Sequence, residues 1–170
     1  MGKLHDEHAS RFQHDVWFSL ADQKYDLTND EKLLFLYLTH NKDMQNTGLY
    51  EINTMQIALV LGYSLQYVEQ CIKKLRNADL LIMDKNLVYI PHIGEEQLFS
   101  NHQDRYWIQK VKRALKYSTY PSEHGPGNTN IAFNAWRQSH MEIISEYFIL
   151  EGDKKQKKTV LSEMSEVGEN

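Results

Sequence analysis

Residues 49 to 93 constrain the fold of this chain more than any other stretch. Leu49-Tyr50-Glu51-Ile52 reads as a short strand, and Asn53 to Gly62 as a helix capped by asparagine and ended by glycine. Tyr63-Ser64 turns the chain into a second helix over Leu65 to Leu80. Leu81 to Ile93 follows as a hairpin with Asp84-Lys85-Asn86 at its tip, and Pro91 ends its second strand because proline cannot donate to the ladder. Strand, helix, sharp turn, helix and hairpin in that order are the grammar of a winged helix-turn-helix, a module that places its second helix in the DNA major groove. The fold class that follows is mainly α with a small β-wing: a winged helix-turn-helix with additional N- and C-terminal helices.

The flanks are helical by periodicity. Phe12, Val16, Trp17 and Leu20 recur at helical spacing over residues 9–21. Thr28 followed by Glu31 is a capping box, and it opens an apolar helix through Leu33, Leu34, Leu36, Tyr37 and Leu38 to about His40. Trp107, Ile108, Val111, Ala114 and Leu115 mark an amphipathic helix over about 103–117. A loop over 120–130 follows, then one long helix from Ile131 to Leu150 with Phe133, Trp136, His140, Ile143, Ile144, Tyr147 and Phe148 along a stripe. That stripe serves dimerisation or packs back on the core. The expected segments are an N-terminal helical extension over 1–27, the winged helix-turn-helix over 28–94, a C-terminal helical region over 95–151 and a disordered polar tail over 152–170.

Composition narrows the function. The chain has 170 residues, 41% hydrophobic, enough for a real core. No apolar run approaches the ~18 residues of a membrane span, and the N-terminus lacks the apolar segment of a signal peptide. The single cysteine, Cys71, cannot form an internal disulfide, so the expected compartment is the reducing cytoplasm of a bacterium or a phage-infected host. The net charge of −4 counts against a protein that coats nucleic acid by charge alone. A DNA contact has to come from local clusters, at Lys73, Lys74 and Arg76, or at Arg105, Lys110, Lys112, Arg113 and Lys116.

Trp17, then Leu27-Thr28-Asn29-Asp30-Glu31-Lys32-Leu33-Leu34-Phe35-Leu36-Tyr37-Leu38, Asn41 and Gly48-Leu49-Tyr50-Glu51-Ile52, together with the Gly62-Tyr63-Ser64 turn, resemble the N-terminal domain of phage replisome organisers. These are relatives of the DnaD-type and DnaB-type primosome proteins of low-GC Gram-positive bacteria. The resemblance covers roughly residues 15–95 and lies mostly in structural positions. It implies a DNA-binding protein of phage or plasmid replication initiation, with a helicase or helicase loader as a partner. The Tyr-x-x-x-Ile-x-x-x-Trp motif of the DnaD-type C-terminal domain is absent, which leaves the helicase-loading part of that role without a motif to carry it.

The candidate site follows from rotating the second helix by about 100° per residue. Val68, Cys71, Ile72 and Leu75 share the inward face, which leaves Gln66, Gln70, Lys73 and Asn77 outward with Tyr67 and Lys74 flanking. Amides suit adenine, and lysine suits guanine or phosphate. With Ser64 at the helix start and Lys85 and Asn86 at the hairpin tip, these nine residues form the expected DNA-binding set. Arg105, Lys112 and Lys116 form a possible second phosphate stripe. Glu51 and Glu69 oppose phosphate. The alternatives are a transcriptional regulator with the same DNA mode, or a protein-interaction adaptor built on the same fold; a homodimer is expected in either DNA mode.

No nucleophile elbow, phosphate-binding loop or H-E-x-x-H motif is present, so no enzyme, catalytic residue or cofactor is expected. His5 and His8 have ligand-like spacing, with His14 nearby, but lack cysteine partners, and no metal site is read there.

Overall fold

The computed structural model describes residues 25–45, 47–91, 93, 107–126 and 128–152. The expected helix over 9–21, His5, His8 and His14, Arg105 and the tail beyond residue 152 lie outside them. The described chain is mainly helical with one small antiparallel sheet, and it divides into two compact units.

The first unit comprises residues 1–42 and 53–80, and its described residues hold three α-helices: α1 (Asn29–His40), α2 (Thr54–Leu61) and α3 (Leu65–Asn77). The capping box forms as its sequence requires. Glu31 N–H donates to Thr28 Oγ1 at 3.3 Å, and Thr28 N–H donates to Glu31 Oε2 at 2.7 Å. Asn53 Oδ1 accepts from Met55 N–H at 2.8 Å to start α2. Gly62 ends α2 in the left-handed region at φ 71°, which lets Tyr63 N–H return to Ala58 C=O at 3.0 Å. Leu34, Phe35 and Leu38 of α1, Ile57 and Ala58 of α2, and Val68, Cys71, Ile72 and Leu75 of α3 are buried, with α1 and α2 both packed on α3. Burial pushes the Cys71 thiol above its ordinary pKa.

The second unit comprises the described residues of 43–52 and 81–152. Its sheet holds β1 (Leu49–Glu51), β2 (Ile82–Asp84) and β3 (Leu87–Tyr89) in the order β1-β3-β2. Leu49 pairs with Tyr89 across one ladder, and Asp84 with Leu87 across the other. The loop between β2 and β3 is therefore Lys85-Asn86 alone, and Asp84 is a strand residue, not part of the tip. Helix α4 (Trp107–Leu115) runs into a 3-10 turn (Lys116–Thr119), and α5 (Ile131–Ser139) and α6 (residues 141–152) follow the loop. Helix α5 lies on all three strands. Leu49, Leu87 and Tyr89 share a core with Trp107, Val111, Phe133, Trp136, Ile143 and Tyr147, so the strands and the C-terminal helices are one body.

One expectation is corrected here. The helix expected over 131–150 breaks at His140 (φ −122°, ψ 24°). The His140 imidazole Nδ1 lies 2.8 Å from Trp136 C=O and must donate to it, bonding the carbonyl that a continuous helix would pair with the His140 amide. That amide turns instead to Arg137 C=O at 3.3 Å. His140 is fully buried, its ring stacked on Trp136 at 5.4 Å. Trp136, Ile143 and Tyr147 are buried as well, so of the two uses foreseen for their stripe the structure takes packing on the core.

Candidate nucleic-acid interface

Helix α3 is positioned by its ends. Ser64 is the N-cap, and its Oγ accepts from Tyr67 N–H at 3.2 Å. At the other end Asp79, at φ 56°, closes the helix: its N–H reaches Arg76 C=O at 3.0 Å, and Leu80 N–H reaches Leu75 C=O at 3.1 Å. Between these ends the inward residues fix the rotation, and Gln66, Gln70, Lys73 and Asn77 are all exposed, as the periodicity requires. No hydrogen bond or ion pair engages these four side chains among the described residues.

The flanking members of the set are engaged within the unit. Tyr67 Oη donates to Asp30 Oδ2 and Tyr63 Oη to Asp30 Oδ1, both at 2.9 Å, so one carboxylate of α1 holds two tyrosines of the turn and α3. The rings meet edge to face at 5.4 Å. The hydrogen bond to Asp30, with some desolvation, pushes the Tyr67 phenol up to about 12. Desolvation, and then the same carboxylate, raises Tyr63. Lys74 Nζ lies 3.7 Å from Asp26 Oδ2, an exposed pair of small energetic value. Ser64 and Tyr67 thus help set the position of α3, Lys74 adds only a weak surface pair, and Gln66, Gln70, Lys73 and Asn77 form its available face.

The remaining candidates belong to the second unit. Lys85 is exposed, but its backbone sits at φ 53° and its N–H donates to Glu123 Oε1 at 3.0 Å. Asn86 is half-buried, and its carbonyl accepts from Ile52 N–H at 2.7 Å. The hairpin tip is therefore held against the loop over 120–130. Glu51, read as a repulsive charge, accepts from Tyr120 Oη at 2.6 Å. Lys112 and Lys116 are exposed, while Lys110 and Arg113 line a hollow of about 200 Å³ with Met44, Gln45 and Thr47.

Two features went unread in the sequence. Asp84, only 1% exposed, accepts from Ser122 Oγ at 2.9 Å, Glu123 N–H at 2.6 Å and Ile131 N–H at 2.8 Å. Burial pushes its carboxyl up, but these donors outweigh burial and hold it below the usual carboxylate range. Asn130 completes the network. Its Oδ1 caps α5 through Ala132 and Phe133 N–H, and its Nδ2 donates to the carbonyls of Asp84 and Pro121. No local pattern pairs residue 84 with residues 122–131, so only the fold reveals this latch. The second feature is the outer face of α2, where Met55, Leu59 and Val60 are exposed, Leu59 to 83%. A signal for it was present: Thr54-Met55-Gln56-Ile57-Ala58-Leu59-Val60-Leu61 has more apolar residues than one face of two turns can bury.

Among the described residues no helix is long and apolar enough to cross a membrane. No protein-family model, curated protein or solved structure matches the chain.

Proposed function

We propose that this chain is a DNA-binding protein of phage or plasmid replication initiation, similar to the replisome organisers, and that it reads DNA with α3 as the second helix of a winged helix-turn-helix. The observation that carries the reading is the outward face of α3. Gln66, Gln70, Lys73 and Asn77 follow one another at helical spacing, exposed and, among the described residues, without a hydrogen bond or ion pair, on a helix held by the Tyr67–Asp30 hydrogen bond and the Ser64 cap. Fixing the flanks while freeing the face suits base reading, because a pre-ordered helix loses little freedom when its amides meet base edges. The element order α1-β1-α2-α3-β2-β3, with strand order β1-β3-β2, supports the winged-helix assignment. In this reading Lys85, Asn86, Lys112 and Lys116 supply phosphate contacts.

A second reading, a protein-interaction adaptor, is favoured by the exposed apolar face of α2, which offers nothing to a phosphate. Fluorescence anisotropy with labelled duplex and single-stranded DNA across a salt series separates the two. The first reading expects affinity that falls steeply with salt. Gln70→Ala with Lys73→Ala should weaken binding about tenfold or more and reduce the salt slope by about 1. Leu59→Ser should leave binding unchanged. Equal affinity of the double variant and the parent would remove α3 from the interface, and absence of binding at low salt would leave the adaptor reading.

A further inference from the structure

Helix α4 carries its basic residues on two separate flanks. Trp107, Val111 and Ala114 are buried in the core of the second unit. At about 100° per residue, Lys110 and Arg113 fall on one side of that buried stripe, and Lys112 lies roughly 160° round the axis from Lys110. The Lys110 and Arg113 flank meets the segment before β1, where the two line a hollow of about 200 Å³ with Met44, Gln45 and Thr47. Its walls are held by bonds within the unit. Thr47 Oγ1, on a side chain buried under the hollow, donates to Leu49 C=O at 3.2 Å and accepts from Leu49 N–H at 3.3 Å. Gln45 C=O accepts from Gly48 N–H at 2.8 Å. Leu49 in turn shares its core with Val111 of α4. The charged side chains, by contrast, are unengaged. Among the described residues neither Lys110, which is half-buried, nor Arg113 makes an ion pair or hydrogen bond, the Gln45 amide makes none, and no carboxylate lines the hollow.

We propose that this hollow binds a phosphate monoester group, held by Arg113 and Lys110 with the Gln45 amide as a neutral donor. Charge, size and donor geometry select that ligand. Two like charges sharing one small space repel, and an anion between them turns the repulsion into attraction. The hollow is smaller than the ~300 Å³ at which pockets for whole ligands begin, so it admits one compact group and leaves the rest of the molecule outside. Two cations match a dianion. A monoester carries roughly −1.5 to −2 near neutral pH and presents three oxygens, whereas a diester inside a strand carries a single charge. The guanidinium fork can take two oxygens, and the ammonium serves a third as a point charge. The group comes from a small phosphoester or from the terminal phosphate of a DNA strand, and the second source alone rests on the DNA-binding reading above. Lys112 and Lys116, assigned there to strand phosphates, do not line the hollow.

A phosphorus NMR titration of the full chain at about pH 7.5 and fixed ionic strength tests it, with methyl phosphate and dimethyl phosphate as probes. Methyl phosphate binds saturably, and about tenfold or more tighter than dimethyl phosphate. Lys110→Ala with Arg113→Ala weakens methyl phosphate about tenfold or more, with an unchanged circular dichroism spectrum because neither side chain lies in the core. Arg113→Lys keeps the charge, loses the fork and binds with intermediate affinity. Lys112→Ala with Lys116→Ala binds as the parent does. Anisotropy with terminally phosphorylated and unphosphorylated DNA of one sequence then reads the source. Tighter binding of the phosphorylated strand, lost in the Lys110/Arg113 variant, puts a DNA end in the hollow. Equal affinity for the two strands, or no binding of either, makes a small phosphoester the ligand, so failure of the DNA reading is told apart from failure of the site. No saturable binding of methyl phosphate, equal affinity for the two esters, unchanged affinity in the Lys110/Arg113 variant, or an equal loss in the Lys112/Lys116 variant would each overturn the proposal.

Discussion

The two units handle polar groups in opposite ways. In the three-helix unit, polar side chains work at the edges of elements: Thr28 with Glu31, Asn53 and Ser64 cap helices, and Asp30 receives Tyr63 and Tyr67 where it is only half-buried. Its interior is mostly aliphatic around Phe35 and Cys71, and its buried polar side chain, Thr39, bonds only back to its own helix, Oγ1 donating to Phe35 C=O at 3.1 Å. In the sheet unit, polar groups lie inside. Asp84, Ser122, Asn130 and His140 are all buried, and each has a named partner. An aliphatic interior tolerates changes of shape, whereas a buried polar network holds one arrangement and fails when a member is removed. The first unit can therefore expose a varied polar face on α3 at little structural cost. The second serves as a frame whose geometry depends on a few side chains.

The largest expected effect tests that contrast where the frame is most concentrated. Asp84→Ala removes an acceptor shared by three donors and leaves Ser122 Oγ and the N–H groups of Glu123 and Ile131 without it. The expected loss is about 3 kcal/mol of stability in chemical denaturation. Acid should reproduce part of it. Because the folded carboxyl titrates below its unfolded value, this contribution is complete above about pH 4 and fades as pH falls through the folded pKa. A denaturation series at falling pH should show that fade in the parent and not in Asp84→Asn. An Asp84→Ala protein as stable as the parent would show that the loop over 120–130 is held by something other than the latch.

The tyrosine clamp of the helical unit should matter less, because Asp30 and both phenols have access to water. Its signature is alkaline. A phenol raised in the folded state favours folding fully below about pH 10 and loses that contribution as pH rises through its folded value, about 12 for Tyr67. Asp30→Asn should return Tyr67 toward the ordinary tyrosine range in an ultraviolet titration, with a smaller loss of thermal stability than Asp84→Ala. A larger loss would move the structural weight of the molecule from the sheet unit to the helical one.

The same contrast explains what the sequence made legible. Capping boxes, glycine stops and helical stripes are local, so α1, α2, α3 and the inward burial of Val68, Cys71, Ile72 and Leu75 followed from spacing alone. Tyr67 was placed correctly on the flank of α3, but its bond to Asp30 spans 37 residues and has no local mark. Asp84 stands beside Lys85-Asn86, where the sequence alone does not separate strand end from hairpin tip, and only the strand register with Leu87 places it in the ladder. The break at His140 was hidden for a related reason. Periodicity runs through it almost unchanged, and the imidazole's capture of the Trp136 carbonyl leaves no trace in a hydropathy pattern.

The smallest expected effect compares one backbone feature in both units. Asp79 after α3 and Lys85 in the hairpin each occupy the left-handed region, at φ 56° and 53°, where a side chain is disfavoured. Asp79→Gly should stabilise the chain by about 0.5–1 kcal/mol, because the two closing hydrogen bonds of α3 use only backbone groups and survive the change. Lys85→Gly relieves the same strain and keeps the N–H that Glu123 accepts, yet it removes the exposed ammonium. The pair therefore separates backbone from charge. Both variants should melt slightly higher than the parent, and only Lys85→Gly should lower affinity in the anisotropy assay. If Lys85→Gly melts lower instead, the lysine side chain itself supports the hairpin tip, and the frame includes a residue assigned to the interface.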